Sequence, residues 1–202
     1  MIRAVVLDLG GVLASGEGVT SEPAKLLGVP EEEFAQHYWD LRTDYDAGAS
    51  DSEYWTPILT AVGKPAAVET IQQLAKLDAD LWLRLRPAAR RTVADLRAEG
   101  ITTAVLTNAP FNLDAGLLNA DFADEVDYWF ISAAMGVGKP DKAAFARVTE
   151  VLELAPAEIA FVDDKLHNVE AAERFGWLAH QWTSDATTRE WLANQGLLDA
   201  SA

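Results

Sequence analysis

The residues near the N-terminus place a carboxylate where a parallel sheet would bind its ligands. Asp8 follows the apolar run Ala4–Leu7 and precedes the glycine pair Gly10 and Gly11. A continuous aliphatic run is typical of a buried parallel strand, and open α/β sheets bind ligands beyond the carboxyl ends of their strands. The glycines would let main-chain amides approach an anion closely. Asp8 is therefore a candidate nucleophile or metal ligand, although a single such aspartate could also belong to a turn.

Polar side chains follow two later apolar runs in the same way. Thr107 and Asn108 come after one run, and the adjacent carboxylates Asp163 and Asp164 come after another. Two neighbouring carboxylates repel each other unless a cation lies between or beside them. Taken singly, Thr107 and Asn108 could cap a turn, and the two aspartates could form a helix N-cap.

A lysine and a second asparagine complete the set. Lys139 lies in the glycine-bounded loop Gly136–Pro140, and Asn168 follows Asp164 by about one helical turn. Lys139 alone could be a solvated loop charge, but packing gains nothing from polar groups at several strand ends. We therefore predict that these residues meet around Asp8.

The elements that would position these residues alternate between strands and helices, which predicts βαβ units and an α/β fold with a parallel sheet. The predicted strands are Ala4–Leu7, Thr102–Leu106, Tyr128–Ile131, Ile159–Val162 and Leu178–Trp182. The helical patterns between them are Pro87–Glu99, Asp141–Glu153 and Asn168–Phe175.

The stretch 17–85 breaks this alternation, because it contains helical patterns and no convincing strand. We predict an all-helical domain over 17–85, inserted after the first strand of a core domain formed by 1–16 and 86–202. Its helices are expected at Ser21–Leu27, Glu31–Tyr45, Ser52–Val62 and Ala67–Leu83.

Composition narrows the classes of function. The net charge of −16 argues against nucleic acid or an anionic membrane as a partner. The absence of cysteine excludes disulfides and thiolate chemistry. No signal peptide pattern and no apolar stretch of roughly 18 residues is visible, so we expect a cytoplasmic protein, either a monomer or a homodimer.

Taken together, the four segments resemble the motifs of the haloacid dehalogenase-like (HAD) hydrolase superfamily, subfamily I with a helical C1 cap. The matching stretches are 6–13, 106–108, 138–140 and 161–169. The resemblance implies a Rossmann-like three-layer α/β/α core with the helical segment as a cap. It also implies a phosphatase of small phosphorylated metabolites that acts through an aspartyl-phosphate on Asp8.

The resemblance further assigns roles to the candidate residues. Mg²⁺ would be bound by Asp8, the Gly10 carbonyl and Asp164, with Asp163 more distant. Lys139 would balance charge between Asp8 and the phosphoryl group, and Asn168 would support the site. The residues expected to bind phosphate oxygens are Leu9, Gly10, Thr107, Asn108 and Lys139.

One position departs from the family pattern. Phosphatases of the superfamily usually carry a second aspartate, the general acid and base, where this chain has Gly10. Another group would have to move the proton, and Gly10→Asp would be expected to preserve or raise activity. In the cap, Arg42 and Asp46 are spaced as neighbours on one helix face and are candidate substrate residues, although such a pair is often a surface ion pair.

Two other functions remain compatible with the residues. A metal-independent carbon–halogen hydrolase would need no second aspartate, but it would leave Asp163 and Asp164 without a cation. A protein that binds a phosphorylated ligand with little or no catalysis would also tolerate Gly10.

Overall fold

A computed structural model describes residues 1–199 of the protein, and their apolar runs form one parallel sheet. Within these residues the sheet has five strands, in the spatial order β3-β2-β1-β4-β5. The strands are β1 Ala4–Leu7, β2 Thr102–Thr107, β3 Tyr128–Ile131, β4 Ile159–Asp163 and β5 Leu178–Gln181. The predicted parallel α/β sheet is confirmed.

The strand register brings the predicted site residues to one edge of the sheet. Leu7 pairs with Val105 on one side and with Val162 on the other, so Asp8 leaves the sheet between the ends of β2 and β4. The Asp8 N–H donates to the Val162 carbonyl at 2.9 Å, which fixes the backbone at this point. The chain runs from β1 to β2 on one side and returns to place β4 on the other side. Open α/β sheets form their binding crevice where the strand order reverses in this way.

The helical segment between β1 and β2 has a hydrophobic core of its own. Its helices are α1 Ser21–Leu27, α2 Glu31–Asp40, α3 Arg42–Asp46, α4 Asp51–Ala61 and α5 Val68–Trp82. Aromatic residues dominate this core, including Phe34, Tyr38, Tyr54 and Trp55. Helices α1, α4 and α5 lie within one or two residues of the predicted positions, and the domain boundaries at 17 and 85 stay a prediction.

One predicted helix is broken in two. The pattern predicts a single helix over Glu31–Tyr45, whereas the structure ends α2 at Asp40 and begins α3 at Arg42. The Tyr54 hydroxyl donates to the Tyr38 carbonyl at 2.7 Å, the acceptor that the Arg42 N–H would use in a continuous helix. A tertiary contact from α4 therefore competes with the helix bond.

Helices cover both faces of the sheet and give the three layers that the sequence predicts. They are α6 Pro87–Ala98, α7 Phe111–Leu117, α8 Ser132–Met135, α9 Lys142–Leu152, α10 Leu166–Phe175 and α11 Asp185–Asn194. Val5 and Leu7 pack on one face with Leu96, while Val6 packs on the other with Phe145. None of the helices in the part of the chain described here has the length and apolar character needed to cross a bilayer.

Candidate active site

Three predicted residues form a buried ion-paired cluster at the carboxyl edge of the sheet. The Lys139 Nζ lies 2.8 Å from the Asp8 Oδ1 and 2.6 Å from the Asp163 Oδ2. All three side chains are at least nine-tenths buried. The three residues belong to separate segments of the sequence, and the Lys139 ammonium group contacts both carboxylates.

Asp163 is held by a full set of hydrogen bonds. Its Oδ1 accepts from the Lys165 main-chain N–H at 2.8 Å, and the Asn168 Nδ2 lies 3.0 and 3.1 Å from its two oxygens. With Lys139 on Oδ2, neither oxygen is left without a donor. Asp163 is therefore suited to orienting Lys139, while Asn168 fixes Asp163.

The Lys139 loop is held by Asn108, at the end of β2. The Asn108 Nδ2 donates to the Lys139 carbonyl at 2.7 Å, and its Oδ1 accepts from the Lys139 N–H at 2.8 Å. A Cβ on Gly138 would lie 2.6 Å from the Asn108 Oδ1, so this pairing requires a glycine. Asn108 therefore positions the loop that carries the lysine.

Burial and neighbouring charge shift the ionisation of this cluster. Burial is the main reason why the pKa of Asp8 rises to about 7; Lys139 opposes the shift and Asp163 adds to it. Burial disfavours the Lys139 ammonium, but attraction to Asp8 and Asp163 outweighs it and raises the pKa of Lys139. The lysine thus stays charged between the two carboxylates.

The acidic residues fit a divalent cation. Carboxylate oxygens of Asp8, Asp163 and Asp164 lie within 4.8 Å of one another. Burial, followed by repulsion from Asp163, raises the pKa of Asp164, and its buried Oδ1 has no hydrogen-bond partner among residues 1–199. A cation would satisfy this oxygen and offset the three carboxylates, which Lys139 alone does not neutralise.

Gly11 lies against Asp164, and the close approach of the two residues requires a glycine. It has a φ of +82°, and a Cβ there would lie 2.7 Å from the Asp164 Oδ2. Any side chain would therefore displace Asp164 from the acidic group. The glycine pair in the sequence signals a close approach, but not which residue approaches.

The predicted phosphate-binding groups differ in whether their hydrogen-bond donors already have a partner in the protein. The Leu9 N–H donates to the Asp8 Oδ1 at 2.7 Å, so it is already engaged by the carboxylate. Neither the Gly10 N–H nor the Thr107 hydroxyl makes a hydrogen bond to any residue in 1–199. Gly10 and Thr107 therefore offer unpaired donors beside Asp8, and Leu9 instead orients the Asp8 carboxylate.

These groups open into a cavity of about 400 Å³ between the core and the helical segment. From the core side it is lined by Asp8, Thr107, Lys139, Asp164, Lys165 and Asn168, and from the helical side by Trp39, Arg42, Thr43, Asp46 and Trp82. The cavity has the size and mixed lining of a small-molecule site.

Arg42 and Asp46 form a buried network and not a surface pair. The Arg42 Nε lies 2.7 Å from the Asp46 Oδ1, and its Nη1 lies 3.0 Å from the Asp78 Oδ1. Arg42 is 8% exposed, and its guanidinium also lies 5.6 Å from the Trp82 ring centre. The sequence predicts the Arg42–Asp46 pair. Asp78 belongs to α5, and nothing in the spacing of the sequence indicates that it joins this pair.

The Trp82 ring lies close to Gly10, the position of the second catalytic aspartate in the family pattern. A Cβ on Gly10 would lie 3.0 Å from the Trp82 ring, and one on Gly16 would lie 2.8 Å from it. The Trp82 Nε1 donates to the Tyr38 hydroxyl at 3.0 Å, which holds the ring in place. The structure thus changes the expectation for Gly10→Asp.

We predict that Gly10→Asp lowers both stability and activity, because overpacking against a held ring typically costs about 1–3 kcal/mol. In the Trp82→Leu background, Gly10→Asp should cost much less stability than it does in the wild type, because the ring that it would clash with is gone. Urea unfolding of the four proteins measures the coupling. A Gly10→Asp single variant that is as stable as the wild type would show that Trp82 does not fill this space.

Comparisons with known proteins agree with the fold and identify a family. The profile of the family described as haloacid dehalogenase-like hydrolase matches residues 2–176. A phosphatase of Mycobacterium tuberculosis is 27% identical over 197 residues, which cover 94% of this chain and 91% of that protein. (S)-2-haloacid dehalogenase 1 of a Pseudomonas species is 26% identical over 188 residues, which cover 87% and 82%.

A solved structure gives the same architecture. The L-2-haloacid dehalogenase from Xanthobacter autotrophicus, with chloropropionic acid covalently bound, superposes with a TM-score of 0.71 at 25% identity. The match covers 96% of this chain and 83% of that one. Phosphatases and dehalogenases both occur among the similar proteins, so similarity alone does not choose between the two reactions.

Proposed function

The chain belongs to the haloacid dehalogenase-like hydrolase family, and we propose that it is a Mg²⁺-dependent phosphatase of small phosphomonoesters that reacts through an aspartyl-phosphate on Asp8. A hydrolase follows from the family; the phosphatase reaction, the metal and the residue roles are the proposal.

The buried Asp164 Oδ1 carries the proposal. This oxygen lacks a partner among the described residues, and its residue belongs to the acidic group with Asp8 and Asp163. A buried unpaired carboxylate oxygen is costly, and a cation at this point would remove the cost. Attack of Asp8 on a carbon–halogen bond needs no cation, so this oxygen favours phosphoryl chemistry.

The residues would divide the work as follows. Asp8 attacks phosphorus with the Oδ2, since Lys139 and the Leu9 N–H hold the Oδ1. Lys139, the Gly10 N–H and the Thr107 hydroxyl stabilise the phosphoryl oxygens. Mg²⁺, held by Asp8, Asp164 and the Gly10 carbonyl, would offset the negative charge that builds up as the two anions meet.

Metal removal should abolish activity. We expect a chelator to remove turnover of an aryl phosphate and added Mg²⁺ to restore it, because Asp8 and the phosphate repel each other without the cation. Asp164→Asn should raise the Mg²⁺ concentration needed for half-maximal turnover at least about 10-fold, within the range seen when metal-site groups are replaced. The exposed α7 residue Asp114, changed to Asn, is the matched control and should behave as the wild type.

The same assay separates the alternatives. Release of halide from a 2-haloacid, unaffected by the chelator, would identify a dehalogenase, the reaction named for two of the similar proteins. Binding of inorganic phosphate without turnover of any phosphomonoester would identify a ligand-binding protein. Either result would overturn the phosphatase proposal.

A further inference from the structure

We propose that Asp46, from the helical segment, moves the proton that an aspartate at position 10 would move, and so acts as the general acid for the leaving group. This inference deepens the proposed phosphatase function and rests on it. It arises from the cavity lining, since this chain has no carboxylate at position 10 and the Trp82 ring lies 3.0 Å from where a Cβ at Gly10 would stand.

Asp46 is placed in the reaction cavity by contacts with the core. It lines the same cavity as Asp8, at the end of α3. The Ser132 hydroxyl donates to the Asp46 carbonyl at 2.5 Å and accepts from the Ala109 N–H at 2.9 Å. The end of α3 is thereby fixed to the loop that follows β2, on the side of the sheet where Asp8 lies.

The other carboxylates of the cavity already have tasks. Among residues 1–199, the carboxylates that line it are Asp8, Asp46 and Asp164. Asp8 is the nucleophile and Asp164 belongs to the cation site, which leaves Asp46 as the carboxyl group free for proton transfer.

Burial and the nearby Asp78 carboxylate favour a proton on Asp46, against the attraction of Arg42. One guanidinium, that of Arg42, serves two carboxylates: its Nη1 lies 3.0 and 3.1 Å from the two oxygens of Asp78, and only its Nε reaches the Asp46 Oδ1. Asp78 also accepts from the Tyr38 hydroxyl. Arg42 and Tyr38 thus compensate the charge of the buried Asp78 carboxylate. A second full negative charge on the neighbouring Asp46 is therefore unfavourable.

The remaining oxygen of Asp46 is available to a substrate. The Asp46 Oδ2 makes no hydrogen bond to any residue in 1–199. Burial is the main cause that raises the pKa of Asp46 to about 6; Asp78 adds to the shift, while Arg42 and Lys165 oppose it. Lys139, which also lines this side of the cavity, is neutralised by its own two carboxylates.

The step balances as follows. The Asp8 oxygen forms a bond to phosphorus, the bond from phosphorus to the ester oxygen breaks, and that oxygen takes the proton of Asp46 and leaves as an alcohol. Water then attacks phosphorus, returns one proton to Asp46 and releases phosphate from Asp8.

The test compares leaving groups in wild type, Asp46→Asn and the control Asp44→Asn, which changes an exposed aspartate of the same helix. The substrates are an aryl phosphate, whose leaving group needs little protonation, and an alkyl phosphate such as glycerol 2-phosphate. The measured quantity is kcat/KM, which covers the steps up to departure of the alcohol. For Asp46→Asn we expect a loss of about 10²–10⁴-fold on the alkyl ester and under about 5-fold on the aryl ester, the first range being typical of a lost general acid.

The aryl rate also reports whether the variant has folded. Equal losses on both esters, or an unchanged rate on the alkyl ester, would overturn the role of Asp46. In wild type, the ratio of alkyl to aryl kcat/KM should fall as pH rises through about 6, because Asp46 loses its proton while ionisation of Asp8 affects both substrates equally. In Asp46→Asn the ratio should not change with pH, and a pH-dependent ratio there would count against the proposal.

Failure of the underlying function gives a different result. If wild type hydrolyses neither ester in the presence of Mg²⁺, the phosphatase proposal is wrong and the role of Asp46 is rejected with it. If wild type hydrolyses both and only the comparison of variants fails, the phosphatase stands and Asp46 is not its acid.

Discussion

Asp8→Asn should abolish turnover of every phosphomonoester and leave the fold intact. The amide keeps the shape of the side chain but is a far poorer nucleophile, and removal of the nucleophile in covalent catalysis can cost on the order of 10⁶-fold in kcat. We expect a loss of at least about 10⁴-fold on an aryl phosphate, measured at saturating Mg²⁺. Asn also removes a buried charge, so unfolding by urea should show little destabilisation.

The matched control for this experiment is Asp141→Ala. Asp141 caps α9 two residues after Lys139, and its loss should affect stability by about 1 kcal/mol without affecting the chemistry. If Asp8→Asn retained more than a few per cent of wild-type turnover while Asp141→Ala behaved as expected, Asp8 would not be the nucleophile.

Lys139→Met should have the second large effect, on stability as well as on activity. The Lys139 ammonium is shared by Asp8 and Asp163, both buried. Breaking a buried ion pair by removing one partner typically costs about 3–5 kcal/mol, because the remaining charge is left uncompensated. Urea unfolding measures this loss, and turnover should fall as well since the phosphoryl oxygens lose a cation.

Lys142→Met is the control, since Lys142 is an exposed residue at the start of α9. Exposed substitutions of this kind usually change stability by less than about 0.5 kcal/mol. A Lys139→Met protein as stable as Lys142→Met would mean that Asp8 and Asp163 do not depend on the lysine.

The sequence predicts the sheet and its polar edge because both follow from local rules. Continuous aliphatic runs mark buried parallel strands, and parallel strands end at the same edge, so Asp8, Thr107 and Asp163 had to lie near one another. The parallel sheet and membership of the family are confirmed. The roles of the site residues stay predictions.

Contacts between distant segments explain what the sequence did not predict. The break between α2 and α3 depends on the Tyr54 hydroxyl. Helix α7 was not predicted because it is short and contains Gly116, yet that glycine permits a close approach: a Cβ there would lie 2.8 Å from a methyl group of Leu83 and 3.2 Å from Ala79. Nothing in the sequence indicates the position of Trp82 beside Gly10, since it depends on how α5 packs against α4 and α7.

The measurement that tests the central claim most directly is the mass of the peptide that contains Asp8, after the protein is mixed with an aryl phosphate and Mg²⁺ and quenched with acid within one turnover. We predict a gain equal to one phosphoryl group on Asp8, absent in Asp8→Asn and absent when the metal is chelated. Turnover of the ester with no phosphoryl group on that peptide at any quench time would contradict the account.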